Sequence, residues 1–312
     1  MSDRVLARRW RLDRRVAIGA TAELWRAHDL VVDEPVAVKL LRSDRGAAAA
    51  GRRRLEREAL VASRVRHPDL VAVRARLVDP VGLVLDWIDG TDLARHRPAD
   101  LAELATIGHR VAGALAALHA AGWLHADVKP ANIMVGPPAA TPGRDERRVV
   151  LVDLGAARRL AGTEERETTP RYAAPELLAG EPTDPRDDIH ALGMVLAELA
   201  DPLLDGIPSG LANTWSALVE RAHAPRRDER WPDATTLATA LAHLATSAQR
   251  SAPADRGVAP PATGGAGAPT TASASGVRGT RRRPRRSRAA LVAVVVVAAA
   301  LVVAALLLAG AP

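Results

Sequence analysis

The sequence predicts an α+β chain: a small sheet-rich lobe, a larger helical lobe behind it, and one transmembrane helix at the C-terminal end. Three observations carry this reading. Residues 10–88 consist mostly of short alternating apolar runs, the period of half-buried strands. From Asp89 onward the apolar residues recur at helical spacing. Residues 289–310, AALVAVVVVAAALVVAALLLAG, contain no charge.

Taken in order, residues 1–9 are an N-terminal flank. Val16 to Ala27 and Pro35 to Leu41 read as strands around a Gly/Ala turn. Gly51 to Arg66 reads as a basic helix, stopped at His67-Pro68 because the residue before proline avoids helical backbone. Val71 to Val78 and Gly82 to Trp87 complete the first lobe at residue 88. In the second lobe, 89–246, Leu101, Leu104, Val111, Leu115 and Leu118 form one helical stripe. Asp100 stands at its N-cap and Gly122 just past its end. Asp188 to Leu199 and Ala234 to Leu244 supply later helices. No internal repeat is present.

Residues 247–288 turn to Pro, Ala, Gly, Ser and Thr, too little apolar surface to offset the entropy of ordering. They read as a disordered tether with ends about 35 Å apart. The apolar run that follows matches one hydrocarbon core, since twenty helical residues span about 30 Å. Its seven Val and five Leu give an insertion term of about −5 kcal/mol. RRRPRRSR precedes it and no charge follows it. By the positive-inside rule, residues 1–288 are expected in the cytoplasm. The chain would be a single-pass, C-terminally anchored protein of the cell membrane, with residues 311–312 outside. The N-terminal residues lack the h-region of a secretory signal.

The formal charge of +7 belongs to this tail. From Ser251 onward there are eight Arg and one Asp, so the first 250 residues are neutral. A nucleic-acid-binding face is therefore not expected. The absence of cysteine excludes disulfides, thiolate metal sites and cysteine nucleophiles.

Only two lysines occur, Lys39 and Lys129, against forty-one arginines. Lysine has survived where a compact ammonium is needed and a planar guanidinium would misfit. Both lie in recognisable motifs. In order, these are VAIGATAELWRA, AVK ending at Lys39, Glu58 nine residues before HPDL, HADVKPAN, DLG, APE, DIHALG and Arg230. One such motif is weak alone; the ordered set is specific.

Over about residues 10–246 the chain resembles the bacterial eukaryotic-type (Hanks-type) serine/threonine protein kinases. The resemblance implies their bilobal fold, ATP and Mg²⁺ as cofactors with Mn²⁺ able to substitute, and protein substrates with Ser/Thr acceptors. It also implies self-association for autophosphorylation. Val16 and Gly19 would lie in the loop over the nucleotide. Lys39 would hold the α/β-phosphates, oriented by Glu58. Leu24, Ala37 and Met134 would sandwich the adenine ring. Backbone groups of Asp86 and Ile88 would meet its edge beyond a Leu85 gatekeeper. Asp127 would receive or orient the acceptor proton, and Lys129 would neutralise charge on the γ-phosphate. Asn132 and Asp153 offer Mg²⁺ hard oxygen ligands. His125 is expected to be packed and structural, Thr169 to touch the catalytic loop, and Arg230 to pair with the glutamate of APE, which closes the activation segment.

Three departures stand out. Ala17 and Ala22 occupy positions where glycine is usual, and Ala resists positive φ. Ala126 replaces the arginine that normally receives an activation-loop phosphate. Only 31 residues separate Glu198 from Arg230, so a helix used for partner docking is shortened or missing. Two competing readings follow. A pseudokinase acting as a nucleotide-binding membrane scaffold would fit the glycine-poor loop. A small-molecule kinase of the aminoglycoside-phosphotransferase type would share the H-x-D-x₄-N pattern, although Lys129-Pro130 and TPRYAAPE favour protein substrates.

Overall fold

The computed structural model describes residues 4–42, 48–137, 147–160, 162 and 169–251. The span read at 289–310, its two-residue tail and most of the tether lie outside these residues.

Strands β1 (Val5–Leu6), β2 (Trp10–Ile18), β3 (Ala22–Asp29), β4 (Glu34–Leu41), β5 (Val73–Leu77) and β6 (Gly82–Asp86) form one antiparallel sheet, ordered β1-β2-β3-β4-β6-β5. The sequence of β4 shows what sets its two faces. Side chains alternate, so Val36, Val38 and Leu40 enter one core with Trp10, Leu12 and Val84. Ala37, Lys39 and Leu41 face the other way. There, Leu55 and Ala59 of helix α1 (Ala48–Arg64) join Leu83 and Leu85. Val61 of the same helix, and Val65 just past its end, belong to the core of the helical lobe. Helix α1 thus couples the two lobes. It also approaches the β2–β3 turn closely: a Cβ on Gly51 would lie 2.5 Å from Leu41 Cδ1 and 3.0 Å from Thr21 Cβ.

The second lobe is built around α2 (Leu101–Ala120), whose Leu104, Ile107, Val111, Leu115 and Leu118 are fully buried. Its ends agree with the sequence. The Asp100 carboxylate accepts the Glu103 N–H at 2.8 Å, and Gly122 takes φ 79° just beyond the helix. Two small sheets carry the loops of interest. Strands β7 (Thr91–Asp92), β9 (Ile133–Val135) and β10 (Val149–Leu151) form one; β8 (Trp123–Leu124) pairs with β11 (Arg158–Arg159) in the other. Helices α3 (Pro175–Leu178), α4 (Pro185–Ala200), α5 (Ser209–Ala222) and α6 (Ala234–Ser251) follow.

Two features differ from expectation. Helix α6 continues to Ser251, five residues into the segment read as tether, because Ala245 and Ala248 still bury against the lobe. The short interval after Glu198 holds one long helix, α5, which the sequence reading did not assign. Leu211, Trp215, Leu218, Val219 and Ala222 do recur at helical spacing. Its start is obscured because Pro208 provides no capping side chain.

Candidate active site

Three segments distant in sequence meet at Lys39. Strand β4 carries the lysine, α1 carries Glu58, and the turn after β10 carries Asp153. Lys39 Nζ donates to Glu58 Oε2 at 2.8 Å and to Asp153 Oδ1 at 2.7 Å. Burial opposes the lysine charge, yet the two carboxylates outweigh it and lift its pKa above the ordinary value. Burial likewise opposes ionisation of Asp153, and Lys39 more than offsets it, holding that pKa at about 2. Glu58 is almost wholly enclosed, and burial raises its pKa in spite of Lys39. Asp153 adopts φ 66°, a left-handed conformation costly for a residue with a side chain. That strain turns its carboxylate back toward the lysine.

The loop between β8 and β9 forms the facing wall. Lys129 Nζ donates to Asp127 Oδ2 at 2.6 Å and to Thr169 Oγ1 at 3.1 Å. Thr169 in turn donates to Asp127 Oδ1 at 2.7 Å. Asn132 Nδ2 donates to the Asp127 carbonyl at 2.8 Å and to its Oδ2 at 3.1 Å. Both carboxylate oxygens of Asp127 are therefore oriented. Below them, buried Asp188 of α4 accepts the N–H of His125 at 2.8 Å and of Ala126 at 2.9 Å. It also bonds His119 at 2.9 Å. This fixes Ala126 at φ 64° and aims Asp127 into the cleft. His125 is fully buried against the Val152 carbonyl, the packed role expected of it.

Between the walls lies an apolar cluster. Ala37, Leu85 and Ile88 are buried in it, and Leu24, Met134 and Val152 pack against it. The predicted ring-binding residues are thus brought together. Val16, expected in the loop over the nucleotide, is exposed near the end of β2. Asp86 has already used its N–H on the Ala72 carbonyl at 3.0 Å, and its carboxylate on Arg74 at 2.6 Å.

A family model described as the protein kinase domain matches residues 10–260. The chain belongs to the protein kinase family. A probable serine/threonine-protein kinase of Corynebacterium efficiens is 35% identical over 62% of this chain and 31% of its own length. Serine/threonine-protein kinase PkaA of Streptomyces coelicolor is 33% identical, covering 74% of this chain and 45% of the relative. PknF of Mycobacterium tuberculosis is 34% identical, covering 72% and 49%. This chain spans less than half the length of each of these three. The crystal structure of the Mycobacterium tuberculosis PknI kinase domain superposes with a TM-score of 0.58 at 28% identity, covering 78% of this chain and 99% of that one.

Within this kinase fold the glycine-poor nucleotide loop has a simple account. Ala17, which follows a register shift in the β2–β3 ladder, pairs with Leu24, Ala22 pairs with Leu41, and neither takes a positive φ. The turn between them is pinned instead. Gly19 N–H donates to the Ala22 carbonyl at 2.8 Å, and Arg42 donates to the Gly19 carbonyl at 3.0 Å. Arg42 was invisible in the sequence because its partner is a backbone oxygen.

The kinase metal also fits the residues present. Asn132 spends its amide nitrogen on Asp127, and its side-chain oxygen is of the neutral hard type that a small divalent cation takes. Asp153 adds a carboxylate held ionised. A small octahedral cation that keeps its waters and shares phosphate oxygens needs no more protein ligands than these.

At the foot of the lobe, Arg230 is completely buried and binds Glu176 through both guanidinium nitrogens, one at 2.8 Å. The sequence foresaw that pair. It did not foresee Arg227, which donates to Glu176 at 3.1 Å and to Asp187 at 3.2 Å.

Proposed function

We propose that the protein is an ATP-dependent serine/threonine protein kinase that passes the γ-phosphate of ATP to protein hydroxyls. The observation that carries this is the joint geometry of the two walls: Lys39 bridging Glu58 and Asp153, opposite an Asp127 oriented by Lys129, Asn132 and Thr169. Phosphoryl transfer asks for positioning and charge stabilisation rather than covalent help. Lys39 offers a fixed ammonium to the α/β-phosphates. Asp127 orients the acceptor hydroxyl and takes its proton as that oxygen bonds to the γ-phosphorus and the bond from the γ-phosphorus to the β-phosphate oxygen breaks, releasing ADP. Lys129, already beside Asp127, neutralises charge that builds on the transferred group. Mg²⁺ bound by Asn132 and Asp153 would neutralise the phosphates and hold them in line. Thr169, reaching the loop from the activation segment, ties protein-substrate docking to the state of Asp127.

The pseudokinase alternative loses its main support, because the loop that suggested it folds without needing the missing glycines. Incubating the purified protein with Mg²⁺-ATP and mapping phosphosites by mass spectrometry tests the proposal. Phosphoserine or phosphothreonine formed by the wild type and absent from Asp127→Asn is expected. Nucleotide binding without turnover would overturn it.

The membrane anchor rests on the charge-free run at 289–310 and the arginines before it. Residues 10–246 are taken as the kinase domain and 247–288 as its tether, with α6 reaching a few residues further. Deleting residues 289–312 should release a soluble, active enzyme. A truncated protein that stays in the membrane pellet would remove this part of the proposal.

A further inference from the structure

The turn between β3 and β4 reads Leu30-Val31-Val32-Asp33. Its three aliphatic side chains are all exposed, Val31 by 71%. None of them joins a core cluster of either lobe. Three consecutive exposed apolar residues are unfavourable in water alone and mark a contact surface.

The turn is held from inside. Asp29, almost wholly buried at the end of β3, accepts the Val31 N–H on its carboxylate at 3.0 Å and the Asp33 N–H on its carbonyl at 2.9 Å. The same carboxylate accepts from Arg9 at 2.8 Å and from the Trp10 indole at 3.2 Å. The Leu30 N–H donates to the Arg9 carbonyl in the β1–β2 turn at 2.8 Å. Three of the four N–H groups of the turn are thus bonded within the protein. Water would satisfy such groups; an apolar phase would not, and an unpaired N–H there is strongly unfavourable. The charges around the turn suit an anionic surface. Arg8, beside Arg9, and Arg4, just before β1, are exposed and have no acidic partner among the described residues. The two nearby acids are occupied: Asp33 lies 2.6 Å from His28, and Glu34 accepts from Arg74 at 2.8 Å.

We propose that this tip is a second membrane contact: Leu30, Val31 and Val32 enter the apolar edge of an anionic bilayer while Arg4 and Arg8 meet its headgroups. The inference rests on the reading of residues 289–310 as a span. As a coil, residues 252–288 would have ends about 33 Å apart, which keeps the domain within reach of the leaflet. The cytoplasmic surface of that leaflet is negative. A protein partner fits less well, because three side chains at a hairpin tip fall far short of the about 800 Å² per partner of a stable interface. The contact is weak by itself and acts because the anchor raises its effective concentration. A chain cut before residue 289 therefore still goes into solution.

The chain has no cysteine, so Val31→Cys carries the only thiol. The full-length variant, labelled there with an environment-sensitive dye, is placed at one copy per nanodisc of phosphatidylcholine and phosphatidylglycerol. Val78→Cys is the control. Val78 is 87% exposed, and the register sets its neighbour Leu77 beside Gly82 and Leu40, at the far end of β4 from the tip. Nitroxide-bearing lipid should remove most of the emission at position 31 and almost none at 78. Leu30→Ser/Val32→Ser in the labelled chain should abolish most of that quenching, and Arg4→Ala/Arg8→Ala should lower it. Equal quenching at 31 and 78, or quenching at 31 that the serine pair leaves unchanged, would overturn the proposal. So would a dye at 31 that is shielded only when two copies share a disc, which would make the tip a self-association surface. If the chain does not enter discs, the span reading has failed, and vesicles of the same lipids added to the free chain decide: stronger quenching at 31 than at 78 supports the tip contact, and no difference refutes it.

Discussion

Lys39 is held by two carboxylates that arrive from far along the chain, Glu58 and Asp153. Asp127 is held mainly by residues within five positions of itself, Lys129 and Asn132, with Thr169 as its distant partner. The nucleotide wall therefore exists only while β4, α1 and the turn after β10 are mutually placed. The transfer wall is nearly complete within one loop, clamped from below by Asp188. The difference teaches where control can act. Moving α1 would dismantle the first wall and leave the second standing, whereas moving the chain at Thr169 would disturb Asp127 and leave Lys39 with Glu58 and Asp153.

The comparison predicts separable losses. Asp127→Asn should cut phosphoryl transfer by about 10²-fold or more, as expected for a positioned base, with ATP binding nearly unchanged. Isothermal titration with ATP beside a steady-state rate checks both halves. A variant keeping more than about a tenth of wild-type turnover would move the base elsewhere.

Lys39→Arg should come next. The charge is kept, but a planar fork cannot occupy a point between Glu58 Oε2 and Asp153 Oδ1 that an ammonium fills at 2.8 and 2.7 Å. A drop of about tenfold in kcat/KM, about 1.4 kcal/mol, is expected, with weakened ATP binding. Near-normal activity would show that the scarcity of lysine in this chain says nothing about shape. The charges of Lys39 and Asp153 should not vary between about pH 5 and 9, whereas Glu58, whose pKa burial raises, takes up a proton before Asp153 does as pH falls. Asp153 has its pKa lowered to about 2, so its ionised form and the stability tied to it are lost only as pH falls toward that value. Lys39 has its pKa raised, so its charge is lost only above the ordinary lysine range.

Legibility in the sequence followed the chemistry of each contact. Lys39, Asp127, Asn132 and Asp153 were readable because side-chain identity and local spacing together define them. The pair of Glu58 with Lys39 was readable only through the family pattern, since nothing local distinguishes that glutamate from its neighbours in RRRLERE. Arg42 and the Ala72 contact of Asp86 were not readable at all. Their partners are backbone carbonyls brought near by tertiary packing, and a carbonyl leaves no mark in the sequence. Arg227 was hidden for another reason: among forty-one arginines, one that reaches two buried carboxylates looks like any other. In the fold, strands with alternating apolar residues and the capped helix α2 were legible, and the uncapped α5 was not.

A smaller effect sharpens the nucleotide side. Ala22 is buried in β3 with ordinary strand backbone, so restoring glycine there adds freedom the turn does not use. Ala22→Gly should cost about 0.5–1 kcal/mol of stability in a thermal melt. It should change the KM for ATP by less than about twofold. A several-fold fall in that KM would mean that the loop had lost function with its glycines.

The smallest effect is expected on the transfer side. Thr163 and Thr168, outside the described residues, are the hydroxyls of the activation segment open to a switch role, because Thr169 is already committed to Asp127 and Lys129. A switch phosphate orders its segment by pairing with arginines. Ala126 provides none. Arg158 is buried, and Arg159 is stacked on Trp123. To capture a phosphate, Arg159 would have to leave that ring. Initial rates of Thr163→Ala/Thr168→Ala, of phosphatase-treated wild type and of autophosphorylated wild type should therefore agree within about twofold. A deficit of about tenfold, 1.4 kcal/mol in the barrier, shared by the alanine variant and the dephosphorylated protein would make this segment a phosphorylation switch. It would also place the receiving charge on residues that reorganise when the phosphate arrives.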